Sequence, residues 1–168
     1  MTSHPGPLGN NLPGTGMPGR LLLLLIALGL PRTVLTDIGV VTPEGSWIYY
    51  LVALTPFAVW LAVAVFRRTA TPVRDHLLTG ALYGLSLFAV HEALWTASPS
   101  LGHQLPQTAL SLAGRFTPPL SDVILHGYTF AIAMMIGLGV GVTAAIIATI
   151  AKYTRTIRTR RLTASRTR

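Results

Sequence analysis

Five ionisable side chains lie within or beside apolar stretches of this sequence, where they could bind a metal ion or carry a proton. They are Arg32, His91, Glu92, Asp122 and His126. Ionisable groups inside a membrane are costly unless they face protein or water, so they often mark ion or proton pathways. Imidazole and carboxylate groups are also ligands that zinc, copper and iron accept. These five residues are therefore the candidate functional residues of the chain.

His91 and Glu92 begin the sequence His-Glu-Ala-Leu-Trp, which resembles the start of a zinc-protease motif. That motif requires a second histidine where this chain has Trp95, so a zinc protease is not predicted. The sequence also contains no Gly-rich phosphate loop, no Ser-centred elbow and no EF-hand loop. It has no cysteine, which excludes disulfides, thiolate metal sites and cysteine nucleophiles.

Four apolar segments can carry these residues across a bilayer. The chain has 168 residues, of which 51% are apolar and 11% are charged, and its mean hydropathy is +0.55. This composition is typical of a membrane protein with one domain. The predicted spans are residues 21–41, 47–66, 76–95 and 122–151. The predicted fold is therefore an all-α polytopic membrane protein, with four transmembrane helices in a bundle and a transmembrane domain over residues 20–151.

The beginning of the chain allows two interpretations. Residues 1–19 are rich in Pro, Gly and Asn, which predicts a flexible N-terminal tail. The apolar run at 21–30 is too short to span a membrane alone, and Pro31 and Arg32 follow it. It is either the core of a cleaved signal peptide or the first half of a span kinked at Pro31. The span is favoured, because no small-residue cleavage site follows and the long leader carries almost no charge.

The third connection and the last span also contain helix signals. Residues 106–113 predict a short interfacial helix that ends at Gly114, with these residues towards the membrane: Leu105, Ala109, Leu110 and Ala113. Pro118 and Pro119 predict that the last helix begins only at Ser121. Its apolar part of about thirty residues is about 45 Å long, so it should tilt or project into water.

Small residues recur at helical spacing in the third and fourth spans. Gly80 and Gly84 are four residues apart, and so are Gly137 and Gly141. Residues at this spacing share one helix face, and small residues there let another helix approach closely in lipid. We therefore expect these glycine faces to pack helices together, either within the chain, in a homo-oligomer or against another membrane protein.

Both membrane histidines fall on these glycine faces. His91 is eleven residues after Gly80, and His126 is eleven residues before Gly137. Each histidine therefore returns to within about 20° of its glycine, and Asp122 lies one turn before His126 on the same side. In the predicted topology both histidines lie within about 8 Å of the outer surface. The two imidazoles are therefore predicted to approach each other in the outer leaflet.

The charged residues predict the topology. Thirteen Lys and Arg residues and five Asp and Glu residues give a formal charge of +8. The N-terminal side, counted to Arg20, the 67–75 connection and the C-terminal tail hold eleven of the thirteen, while the other connections hold Arg32 and Arg115. A multi-pass cell-membrane protein with both termini cytoplasmic is therefore predicted, with residues 152–168 as a basic tail that attracts anionic lipid headgroups. A nucleic-acid partner is not predicted, because no binding motif accompanies the charge.

The ionisable residues leave several functions open. In the favoured interpretation the protein is a non-enzymatic structural or partner-binding bundle, in which Arg32 pairs with Glu92 or Asp122 and the histidines hydrogen-bond within the bundle. Alternatively, His91 and His126 hold a metal ion with Glu92 or Asp122, or hold a haem, in a redox or sensor protein. A small-solute or proton-linked transporter is the third interpretation. The sequence does not identify a cofactor.

Overall fold

The structure, a computed structural model, describes residues 16–40, 47–97, 105 and 107–166. This part of the chain contains five helices: α1 (Gly19–Asp37), α2 (Trp47–Phe66), α3 (Pro72–Ala97), α4 (Gln107–Ala113) and α5 (Pro118–Arg166). All except α4 are long and apolar enough to cross a membrane. The predicted all-α fold with four spans is confirmed, and the chain is a multi-pass membrane protein.

The helix bounds differ from the predicted spans mainly at the ends. The second helix has the predicted range, whereas α1 ends at Asp37 and residues 41–46 lie outside the described residues. The last helix begins at Pro118 and not at Ser121. Proline is tolerated in a first helical turn because its missing N–H would have no partner there. The Ser121 hydroxyl donates to the Pro118 carbonyl oxygen and so belongs to that first turn.

The basic tail is largely a continuation of α5. The sequence predicted a basic tail over residues 152–168, and α5 continues into it as far as Arg166; the helix has 49 residues, which is about 74 Å. No Pro or Gly interrupts this stretch. The hydroxyls of Thr154, Thr156 and Thr159 donate to carbonyl oxygens one turn earlier. The helix is therefore much longer than a bilayer is thick, and its basic end extends beyond the spans.

The α3–α5 pair is the centre of the bundle, since these helices share the most extensive contact. All four glycines of the predicted packing faces lie at this contact. A Cβ on Gly80 would lie 2.5 Å from the Gly137 carbonyl oxygen, and a Cβ on Gly141 would lie 2.8 Å from the His76 carbonyl oxygen. A Cβ on Gly84 would lie 2.9 Å from the Ala133 carbonyl oxygen. The two backbones are in direct contact, which side chains at these positions would prevent.

Aromatic side chains join α1 and α2 to this pair. The Trp60 indole N–H donates to the Leu25 carbonyl oxygen at 2.9 Å, which links α2 to α1. The Trp60 ring also meets the Tyr83 ring of α3 edge-on, with centroids 5.0 Å apart. The Tyr83 hydroxyl in turn donates to the Gly29 carbonyl oxygen at 3.3 Å. Burial of these two rings brings apolar surfaces of three helices together, and the two hydrogen bonds satisfy the polar N–H and O–H groups of the rings.

The residues just before α1 are packed against the bundle. The predicted flexible tail covers residues 1–19, of which residues 1–15 lie outside the described residues. Met17 is 0% exposed, and the Gly16 N–H donates to the Asp75 carboxylate at 3.0 Å. Asp75 is itself buried and also accepts from the hydroxyls of Thr69 and Thr71. The segment is held because a buried carboxylate needs donors and the Met17 side chain fills apolar space.

The short helix α4 packs on α5. Ala109 and Ala113, predicted to face the membrane, are buried, and α4 contacts α5. Leu110 and Leu112 are exposed instead. Two alanines on one face allow a close approach to a neighbouring helix, so the small side chains face protein and the leucines do not.

Candidate functional site

The candidate residues lie at one end of the bundle, which we call the α4 end. Asp37 is the last residue of α1, His91 and Glu92 lie in the last turns of α3, and His126 lies near the start of α5. The opposite end, where the α2–α3 connection meets the second half of α5, is called the basic end. Because α3 and α5 are antiparallel neighbours, His91 and His126 come to the same end on adjacent helices.

His91 pairs with Asp37 between α3 and α1. Its Nδ1 lies 3.2 Å from the Asp37 Oδ2, and the two side chains are 14% and 15% exposed. Asp37 is not among the predicted partners of His91, although its position near the end of the first span was a usable signal. An imidazole held by a carboxylate has a fixed ring orientation and tautomer.

His126 pairs with Glu92 between α5 and α3. Its Nδ1 lies 2.8 Å from the Glu92 Oε1, and the side chains are 41% and 26% exposed. A half-exposed pair contributes about 1 kcal/mol or less to stability, so it sets the register of two helices more than it stabilises them. Both imidazoles also contact the Trp95 ring, with centroid distances of 5.8 Å from His91 and 5.3 Å from His126.

The predicted ion pair between Arg32 and Glu92 or Asp122 is not formed. The Arg32 Nη2 donates to the Tyr49 hydroxyl at 2.9 Å, and its guanidinium lies 5.3 Å from the centre of that ring. The physical reason is the packing order, since Arg32 faces α2 while Glu92 faces α5. Asp122 is exposed at the start of α5, one turn before His126.

The predicted metal ligands are not assembled either. Within the described residues, no three His, Asp or Glu side chains are arranged to hold a metal ion. The set of His91, His126, Glu92 and Asp122 is divided, because each imidazole uses Nδ1 for a different carboxylate. A carboxylate on a ring nitrogen orients the imidazole but leaves only its other nitrogen for a ligand.

A cavity of about 320 Å³ lies beside His91 and is open on one side. Its walls are mostly apolar side chains of α3 and α5, including Leu87, Ile132 and Ile136, with Thr33 and Thr129 among the polar ones. The Nε2 atom of His91 is buried, and in the described part of the chain it has no hydrogen-bond partner. An unsatisfied buried polar atom costs about 1–3 kcal/mol, so native structures rarely keep one without a reason.

Comparisons with known proteins give no relatives: no family model, no curated protein and no solved structure matches this chain. Function must therefore be inferred from the geometry of the chain itself.

Proposed function

We propose that this protein is a non-enzymatic membrane protein that binds a small apolar ligand in the cavity beside His91. The observation that carries the proposal is the buried Nε2 atom, which lacks a partner in the described chain while Nδ1 is paired with Asp37. The α3–α5 pair is the rigid scaffold, and α1 supplies the carboxylate that orients the imidazole. Because His91 lines the cavity, a ligand that reaches the covered Nε2 by a small side-chain shift would satisfy a ring nitrogen that the described residues leave unpaired.

The arrangement favours a ligand with one hydrogen-bond donor. An ionised Asp37 favours the tautomer in which Nδ1 carries the proton and donates, so Nε2 presents a lone pair. The cavity volume of about 320 Å³ is at the small end of the range for ligand sites, and such sites are mostly apolar with a few polar atoms. An apolar molecule with a hydroxyl group, such as an alkylphenol or a long-chain alcohol, has this chemistry.

Binding is favoured over catalysis by what surrounds Nε2. A carboxylate-oriented histidine acts as a base for a nucleophile when that nucleophile lies within hydrogen-bond reach. No hydroxyl group of the described residues is within that reach of the His91 Nε2. The site therefore offers a binding atom without an activated nucleophile.

The test uses an alkylphenol as the probe and the protein reconstituted in lipid nanodiscs. Replacing His91 by Gln should weaken binding about three- to tenfold, because one hydrogen bond is lost or misplaced. Filling the cavity with Thr129→Phe should abolish binding, since Thr129 lines the cavity. His126→Gln is the matched control, because His126 belongs to the same polar cluster but does not line the cavity. Equal probe affinity in all three variants would contradict the proposal.

We also propose that the protein lies in the cell membrane with both termini in the cytoplasm. Four helices that can span the membrane return the chain to its starting side, and eleven of thirteen Lys and Arg residues lie on that side. Epitope tags at residues 1 and 168 should therefore be reached by antibody only after the membrane is permeabilised. Detection of either tag on intact cells would overturn this orientation.

A further inference from the structure

A second cavity, of about 270 Å³, lies at the basic end between the α2–α3 connection and α5. Its walls include Arg67, Arg68, Lys152 and Arg155, together with the hydroxyl-bearing residues Thr69 and Thr156. Cations from two separate elements therefore surround one space. The composition of these walls differs from the apolar cavity beside His91, so the two sites would take different ligands.

None of the four cations of this pocket is paired with a carboxylate of the described residues. Neither of the ion pairs recorded among the described residues includes any of its four cations. Asp75 is the carboxylate closest to the pocket wall, because it accepts from the Thr69 hydroxyl. Asp75 is buried, however, and its oxygens are used by Thr69, Thr71 and the Gly16 N–H. The pocket is therefore suited to an anion.

Hydrogen bonds hold two of these cations in place and leave one donor unsatisfied. The Lys152 Nζ donates to the Ala70 carbonyl oxygen at 2.9 Å, and the Arg67 Nη2 donates to the Gly16 carbonyl oxygen at 3.4 Å. The Arg67 Nε is buried and has no hydrogen-bond partner among the described residues. Because that atom is covered, contacts to a ligand come from the guanidinium groups of Arg68 and Arg155 on the pocket wall. A guanidinium can bind two oxygens of one phosphate, so phosphate is the anion that fits.

The height of the pocket in the bundle indicates where the phosphate comes from. Phe66, the last residue of α2, is 79% exposed, and Arg67 follows it directly. On α5, the apolar Ala148 and the charged Lys152 lie one turn apart on the same pocket wall. Both elements thus change from apolar to basic at this level, which is where the phosphate groups of a bilayer lie. Basic pockets at the ends of transmembrane helices are suited to anionic headgroups.

From the four cations and this position, we infer that the pocket is a specific site for the phosphate of an anionic phospholipid. This site is distinct from general attraction between the basic tail and the membrane surface. It is also independent of the ligand proposed for the cavity beside His91.

The experiment measures phospholipid bound to the full chain by native mass spectrometry. The protein is released from nanodiscs that contain equal amounts of phosphatidylcholine and phosphatidylglycerol. The wild type should retain phosphatidylglycerol in preference to phosphatidylcholine. The double variant R68Q/R155Q should bind it about thirtyfold more weakly, because two charges near the headgroup are lost. These two arginines are chosen because the pocket uses them and the buried contacts of Arg67 remain intact.

The double variant R158Q/R160Q is the matched control, since it also removes two positive charges, both from α5 and both outside the pocket. It should retain the phosphatidylglycerol preference. Equal loss in both double variants would show diffuse attraction by the tail and would overturn the specific site. A second arm adds millimolar inorganic phosphate to protein in pure phosphatidylcholine. Phosphate that binds through Arg68 and Arg155, without any preference for phosphatidylglycerol, would assign the pocket to a soluble ligand and overturn the lipid proposal.

Discussion

Replacing Gly137 by Ala is expected to destabilise the protein by about 3 kcal/mol, because α3 and α5 must then move apart. A Cβ at this position would overlap the Gly80 carbonyl oxygen and would lie 2.5 Å from the Gly84 backbone nitrogen. Both neighbours are backbone atoms, so no side-chain rotation can relieve the contact. The measurement is the free energy of unfolding in bicelles, for example by titration with a denaturing detergent.

Gly139→Ala provides the control two residues away on the same helix. Apart from the backbone of its own helix turn and its chain neighbours, no atom of the described residues lies within 4 Å of a Cβ on Gly139. Alanine is also the better helix former, by up to about 1 kcal/mol, so this variant should be as stable as the wild type or more stable. The free energy of unfolding should thus fall in one variant and not in the other. This difference between two nearby glycines separates the effect of packing from that of helix propensity. If the two variants unfold alike, the close α3–α5 contact is wrong.

The second large effect is expected at the basic end, where Asp75→Ala should detach the segment before α1. The change removes the acceptor of the Gly16 N–H and of two threonine hydroxyls in a buried place. Loss of these bonds should cost about 3 kcal/mol. The chain has no cysteine, so a single Met17→Cys substitution gives a clean reporter of opening. In the Asp75→Ala background, its labelling by a thiol reagent should be about a hundredfold faster.

Asp122→Ala is the control for the loss of a carboxylate, because Asp122 is exposed at the other end of the bundle. It should leave labelling at residue 17 at the slow rate of the parent Met17→Cys protein. Fast labelling in that parent would show that residue 17 is already accessible, and the buried cluster around Asp75 would then be refuted.

The spans and the glycine faces could be predicted because both depend on local sequence. A run of apolar residues long enough to cross a bilayer indicates a helix wherever it lies, and four-residue spacing places Gly80 and Gly84 on one face without knowledge of the partner. The end of α5 was harder to predict, because the stretch after Lys152 is charged but contains nothing that stops a helix.

The pairing of charged groups could not be predicted, because it depends on which helices are neighbours. Arg32 and Glu92 have opposite charges at similar depth, but Arg32 faces Tyr49 on α2 and Glu92 faces His126 on α5. Asp37 has the same charge as Glu92 and lies at a similar level, so depth alone does not assign His91 to one of them. The burial of Asp75 likewise depends on Gly16, which is 59 residues away in the chain.

The most direct test of the proposed ligand site is nuclear magnetic resonance of the imidazole nitrogens in protein labelled with ¹⁵N-histidine and reconstituted in bilayers. The variants His91→Gln and His126→Gln assign the two signal sets. A neutral ring whose Nδ1–H donates to Asp37 should give His91 an unprotonated Nε2, and saturating alkylphenol should shift that signal as the phenol donates to it. The His126 signals should stay where they are. A His91 Nε2 signal that does not move at saturating probe would contradict the proposed function.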